Sequence, residues 1–294
     1  MNPDNSINPT DSMDTSNKIL HLILFVIAII TGGVLYHTSL FNLVSAVIHR
    51  DGSSHGVFIP FISAWFIWQK WDLLKKIDLR VDLLGIPLLL IGFIFPFLHF
   101  GSWHLECICF LVLSTGAVIL FLGTPFFREI SFPMLFLIVM IPIPDGTYRH
   151  MADITRDITF GGSEWVISVL GLTYFRDGYI LHLPNAVLHV AESCSGIRYL
   201  ISYFVFGIAY AYLTREKNWK RLAVVISTIP ISLLASIGRL TVIFLATYYI
   251  SPKMAAHWPH IFLSWTVFFV VLIIAIGTDQ HFQKRFEKKE IQKA

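Results

Sequence analysis

Three residues of chemically active types stand in apolar surroundings: Cys194, Arg239 and His260. Cys194 lies in "VAESCSGIRYL", where a short polar run meets a long apolar one. A thiol attacks as its thiolate, which is favoured at a helix N-terminus by partial positive charge and open N–H groups. Glu192 and Ser193 are suited to capping such a start. Gly196 leaves room for a substrate backbone, and Arg198 shares a helical face with Cys194 at a spacing of four. The plainer reading is a small apolar filler at a helix start. Arg239 lies in "PISLLASIGRLTVIFLATYYI". An arginine inside a span costs at least about 2.5–3.5 kcal/mol on insertion scales, so it faces the bundle interior or a polar cavity, in a buried ion pair or a site. His257 and His260 stand at the head of another apolar run, "HWPHIFLSWTVFF". Pro259 lies between them and no third ligand is near, which argues against zinc. His104, Glu106, Cys107 and Cys109 in "HLECICFL" are a second metal candidate. Helical spacing scatters their directions, which favours packing there and argues against a Cys107–Cys109 bridge.

The elements that must position these residues follow from composition. Of 294 residues, 55% are hydrophobic and 14% charged, with a mean hydropathy of +0.67. A soluble domain carries about 25% charged residues, so the chain reads as an all-α polytopic membrane protein. The net charge of +3 is too small to argue for nucleic acid. Runs of about 20 apolar residues predict about eight transmembrane helices, near 19–36, 54–71, 83–100, 103–123, 130–144, 194–213, 222–250 and 260–277. The fifth is short and ends in "IPIPDG", so a break is expected there; 37–53 is of mixed polarity and suits the interface. Residues 1–18 read as a disordered tail, 19–277 as the transmembrane domain and 278–294 as a basic tail.

Basic residues set the orientation. Lys70, Lys75, Lys76, Arg80, Arg128, Arg215, Lys217, Lys220, Arg221 and the tail "QKRFEKKEIQK" fall on one side by alternation, which places both termini in the cytoplasm. The opposite side receives 145–193, a small extracytoplasmic helix/hairpin insertion. In it "SEWVISVLGL" reads as a short amphipathic helix, and "YILHLP" with "AVLHVAE" as a hairpin turning at Pro184-Asn185. Ten of the twelve histidines also fall at or near this face, as expected where lysine and arginine are disfavoured and histidine is mostly neutral.

The last three spans are joined by short connections and are expected to be neighbours. Cys194 and His260 then sit at outer helix ends, with Arg239 about 16 Å below the end at Ile250 in a straight helix. A cysteine nucleophile requires a base or counter-cation, which a histidine provides. An arginine stabilises the oxyanion of a tetrahedral intermediate, and more strongly at low dielectric.

At these residues the chain resembles the exosortase/archaeosortase family of polytopic membrane proteins. The resemblance rests on "VAESCSGIRYL", "PISLLASIGRLTVI" and "HIFLSWTVFF", in order and spacing, with "SSHGVFIPFISAWFIW" and "IPIPDG" as further likenesses over about 50–277. It implies Cys194 as nucleophile, Arg239 as transition-state stabiliser and His260 as general acid/base, with Glu192, Ser195, Gly196, Arg198, Ser236 and His257 in support. His257 is the rival for the histidine role; Trp265 downstream favours His260. Ser236 stands where the family usually has asparagine and Ser264 where it usually has glycine. The resemblance further implies a cysteine protease/transpeptidase without metal or cofactor, in the inner membrane, with its active site on the extracytoplasmic side. Its partners would be exported proteins ending in a sorting signal (a Pro-Glu-Pro-like motif, a transmembrane helix and a basic cluster), the lipid bilayer, and an amine acceptor on lipid or polysaccharide. The competing readings are a permease or exopolysaccharide-assembly component without enzymatic activity, and a membrane metalloprotein using the outer histidines.

Overall fold

The computed structural model describes residues 9–49, 54–98, 101–190, 195–215, 217–255, 258, 262 and 265–279. The chain divides into two compact units, Met1–Pro144 and Asp145–Ala294. It is an all-α polytopic membrane protein carrying one small sheet. Among the described residues, four stretches are long and apolar enough to span a membrane: Lys18–Leu35, Trp103–Leu122, Ile197–Thr214 and Asn218–Tyr249; Gly85–Leu98 and Trp265–Asp279 are shorter apolar helices.

The first unit contains α1 (Pro9–Leu35), α2 (His37–His49), α3 (Phe58–Gln69), α4 (Trp71–Leu74), α5 (Gly85–Ile94), α6 (Trp103–Leu122) and α7 (Thr124–Phe136). Helix α1 starts at Pro9, so Pro9 to Lys18, expected within a disordered tail, is helical. Extending an apolar helix costs far less than nucleating a new one. Within the expected fifth span, α7 runs on into a 3₁₀ turn at Leu137–Met140, and the helix ends before residues 141–144, where the break is expected. Residues 37–49 form α2, with Ser39, Leu43 and Val47 buried at a spacing of four.

Helices α5 and α6 meet backbone to backbone. A Cβ on Gly85 would lie 2.4 Å from the Gly116 carbonyl oxygen, and one on Gly92 would lie 2.8 Å from Leu113 Cα. Lipid gives helices no hydrophobic reason to associate, so close van der Waals approach between small residues has to supply it. At the head of α6, Glu106 accepts a hydrogen bond from the buried Ser39 hydroxyl, and the Cys107 thiol donates to the Ser39 carbonyl at 3.5 Å. Cys107 and Cys109 are both free thiols. In the loop before α5, hydrogen bonds from the Thr124 hydroxyl and the Leu84 N–H hold the Asp82 carboxyl below its ordinary range.

The second unit contains α8 (Asp145–Val169), β1 (Phe175–Asp177), β2 (Ile180–Leu183), β3 (Ala186–His189), α9 (Ile197–Thr214), α10 (Asn218–Tyr249) and α11 (Trp265–Asp279). The polar stretch and the short amphipathic helix expected after residue 145 are one 25-residue helix, α8. The hairpin forms as expected, with Leu183 opposite Ala186 across Pro184-Asn185. A further strand, β1, pairs antiparallel with β2. Leu181 and Leu183 alternate inward and join Leu172, Val190, Phe160, Ile167, Leu240 and Phe244 in one buried cluster. Each such side chain contributes about 1.5–3 kcal/mol when fully buried. A partly exposed ion pair such as Arg176–Glu164 contributes about 1 kcal/mol at most. The apolar cluster therefore holds the sheet on α8 and α10, while the polar contacts fix its register. Among those contacts, Tyr179 donates to Asp157, and that bond pushes the Tyr179 phenol above its ordinary range.

Candidate functional site

The site is built where α9 starts. Helix α9 begins at Ile197, three positions later than the span expected from 194, with Gly196 as its N-cap at φ +83°. Glycine adopts that left-handed conformation without the steric penalty of a Cβ. Space imposes the same choice: a Cβ on Gly196 would lie 2.4 Å from Ser236 Oγ and 3.3 Å from Thr159 Oγ1. Thr159, on α8, also donates to the Ser195 carbonyl at 3.3 Å. Ser195 is buried, and its Oγ accepts from the Ile197 N–H at 3.4 Å. The Ser195-Gly196 peptide is thus fixed between two helices by a hydrogen bond on one side and a steric stop on the other.

Small polar residues let the three helices come this close. On α8, Ala152, Thr155, Thr159 and Ser163 are buried along one face. The Ser163 hydroxyl donates to the Thr159 carbonyl at 2.7 Å and crosses to the Ile237 carbonyl of α10 at 3.1 Å. On α10, the Ser236 hydroxyl turns back to the Ser232 carbonyl at 2.8 Å. Ser236, expected in support of the site, is therefore a packing surface for Gly196 with its donor already engaged.

Arg239 lies one turn beyond Ser236 and is 3% exposed. Its guanidinium sits over the ring of Tyr199, 5.0 Å from the centroid. The pairings Ser236–Gly196 and Arg239–Tyr199 step together by three residues on each helix, so α10 reads out the first turn of α9. Stacking engages the π face of a guanidinium. Tyr199 also meets Phe268 of α11, with centroids 5.8 Å apart. Phe268 also lies against Tyr203, with ring centroids 4.9 Å apart and the planes tilted by 36°, and the Tyr203 hydroxyl donates to the Phe268 carbonyl at 2.7 Å. Trp265 extends the chain of rings at 6.3 Å from Phe268. The predicted meeting of the last three helices is thus present as Arg239–Tyr199–Phe268–Trp265. Arg198 is half-buried on the first turn of α9. Glu192, Cys194, His257 and His260 lie outside the described residues.

The packing at the end of α10 bears on the depth of Arg239. Counting down from Ile250 assumes that the last turns of α10 stand in lipid. Leu240 and Phe244 instead pack against the sheet, and Asn185 at the hairpin tip donates to the carbonyls of Thr247 and Tyr248 at 2.9 and 3.1 Å. An open three-stranded sheet has unpaired edges, and hydrocarbon does not accept them. The end of α10 therefore projects beyond the hydrocarbon. From Arg221 to Arg239 the helix rises about 27 Å, close to the ~30 Å thickness of a hydrocarbon core. A hydrocarbon core counted from Arg221 would bring Arg239 near its far side.

Thr159, Tyr199 and Phe268 were not among the residues expected here. Thr159 could have been found from the four-residue spacing of Thr155, Thr159 and Ser163; the two aromatics carry no signal that separates them from their apolar neighbours. Among the described residues no group of three or more His, Cys, Asp or Glu side chains is arranged to hold a metal. The polar groups instead converge on one short peptide beside one buried cation, an arrangement that can hold a reacting loop still and present positive charge to an anion.

A family model described as transmembrane exosortase matches residues 47–277. No curated protein and no solved structure matches the chain.

Proposed function

We propose, on the premise that this chain belongs to the transmembrane exosortase family, that it cleaves C-terminal sorting signals of exported proteins through a thioester on Cys194. The observation that carries this reading is the position of Arg239, buried beside the first turn of α9. The cysteine is joined to that turn through Ser195 and Gly196.

The chemistry is as follows. His260 takes the thiol proton, and the Cys194 sulfur attacks the carbonyl carbon of the scissile peptide. A C–S bond forms and the carbonyl electrons move to oxygen, giving an oxyanion that the Arg239 guanidinium neutralises. Collapse restores the C=O bond and breaks the C–N bond. The His260 imidazolium returns its proton to the leaving amine, which departs with the C-terminal segment. Water or an amine acceptor then attacks the thioester and releases the thiol. A substrate whose own membrane helix follows the cleaved bond would present that bond at this level. The site would lie on the extracytoplasmic face of the inner membrane, with both chain termini in the cytoplasm. No resident metal or cofactor enters the scheme.

The test uses the full chain in liposomes with a tagged substrate ending in a motif, a transmembrane helix and a basic cluster. A membrane-impermeant maleimide added on the extracytoplasmic side is expected to modify Cys194 and stop formation of the shortened product. Processing that continues after Cys194 is fully modified would overturn the proposal. The Tyr199 ring gives a finer prediction. Tyr199→Phe keeps the face under Arg239 and is expected to hold kcat within about twofold. Tyr199→Leu removes a contact of about 0.5–2 kcal/mol and is expected to lower kcat roughly 2- to 30-fold with KM little changed, as read from initial rates.

A further inference from the structure

Helix α8 has three faces, and catalysis uses only one. Its buried face meets α10, and a second carries Asp153, Asp157 and Glu164. The third is apolar and exposed: Ile154 is 48% accessible, Ile158 45%, Trp165 68% and Val169 68%. Their spacings of four, seven and four align them along one line of a helix. Gly161 continues that line, and a Cβ built on it meets nothing within 4 Å. By itself the helix is not among the stretches long and apolar enough to span a membrane; it passes only when counted with Thr124–Met140 as one broken span.

Its height relative to the bilayer follows from α10. Helix α8 touches α10 at Ile237, through the Ser163 hydroxyl and through Gly162, where a Cβ would lie 2.6 Å from Ile237 Cδ1. From Arg221 to Ile237 the rise is about 24 Å, against about 30 Å of hydrocarbon. On the far side of that contact stands the sheet, whose open edges require water. An exposed apolar line with a tryptophan in it, at the level where hydrocarbon gives way to water, has the composition of a helix lying in a membrane interface.

We propose that α8 lies along the bilayer surface on the side of the sheet, with Ile154, Ile158, Trp165 and Val169 seated in the acyl-chain edge of that leaflet. The occupant of this face is lipid rather than a protein partner. The line is continuous in kind with the exposed apolar residues Leu222, Ile226, Ile229 and Leu234 that α10 presents along its length. The proposal does not depend on which reaction the site performs. It gives the membrane a part in the architecture, because the same helix places Thr159 on the Ser195 carbonyl.

The test is nitroxide labelling of the full chain in phosphatidylcholine vesicles. Cys107, Cys109 and Cys194 are replaced by alanine, and a single cysteine is introduced as Ile158→Cys, Trp165→Cys or Asp153→Cys. Dissolved oxygen concentrates in lipid, whereas a nickel chelate stays in water. The labels at positions 158 and 165 are expected to relax several-fold more with oxygen than with nickel, and the label at 153 to show the reverse. Nickel access at 158 and 165 equal to that at 153 would place the line in water. Protection of 158 and 165 from both reagents would mean that protein covers it. Either result overturns the proposal.

Discussion

Replacing Cys194 with alanine is expected to leave a co-expressed, tagged substrate at its precursor length, with processing reduced roughly 10⁴- to 10⁶-fold, the loss seen when a catalytic nucleophile is removed. The size of the effect follows from what remains. Arg239 still offers positive charge beside α9, but no group is left to form the covalent bond. Water at the hydrocarbon boundary is a poorer nucleophile than a thiolate, and nothing among the described residues of α8, α9 or α10 offers a second thiol. The measurement is the ratio of shortened to full-length substrate on immunoblots, with equal membrane levels of the two enzymes. Normal cleavage by Cys194→Ala would end the cysteine mechanism. It would return the alternative in which Arg239 lines a path for an anionic solute.

Gly196→Ala is the second change of large expected effect, and it tests the structure rather than the chemistry. Two penalties act together. The left-handed backbone at φ +83° costs a residue with a Cβ about 1–3 kcal/mol. The new methyl would also stand 2.4 Å from Ser236 Oγ, and overpacking of that kind costs about 1–3 kcal/mol. Helices α8 and α10 are tied to each other through Ser163 and Ile237, so the Ser195-Gly196 peptide is the part that yields. A shift of about 1 Å in a reacting group lowers rate about 100-fold, and a loss of that order or greater is expected in processing. The double change Gly196→Ala with Ser236→Gly removes the clash and keeps the backbone strain. It is expected to recover part of the loss, and that recovery separates the two causes. Wild-type processing by Gly196→Ala would show that the peptide is not held as described.

The sequence makes some of these features legible and hides others for physical reasons. The span predicted at 103–123 matches α6, because a long apolar run bounded by a loop has only one way to fold in lipid. The hairpin at Pro184-Asn185 is readable because alternation and turn chemistry agree. Arg239 announces itself by the cost of its charge. Strand β1, with the sequence Phe-Arg-Asp, has no alternation to reveal it and exists because β2 offers it an edge. The long α8 is hidden by its polarity, since its apolar and polar residues fall on three faces rather than two. Helix α9 starts later than its apolar pattern implies, because such a pattern does not record a left-handed residue. Hydropathy does not distinguish a helix end in lipid from one packed against a sheet, so the sequence leaves the depth of Arg239 open.

The contact of Asn185 with the last carbonyls of α10 also constrains the order of assembly. The two partners are 62 residues apart in the chain, and the hairpin is synthesised first. Until α10 has been made and inserted, the tip has no carbonyls to cap and the inner faces of β2 and β3 lack Leu240 and Phe244. The sheet therefore lacks part of its packing surface until α10 is present. Since α10 also supplies Ser236 and Arg239, the peptide before α9 acquires its steric stop and its neighbouring cation only then. The hairpin tip and the candidate site therefore both depend on α10 being in place.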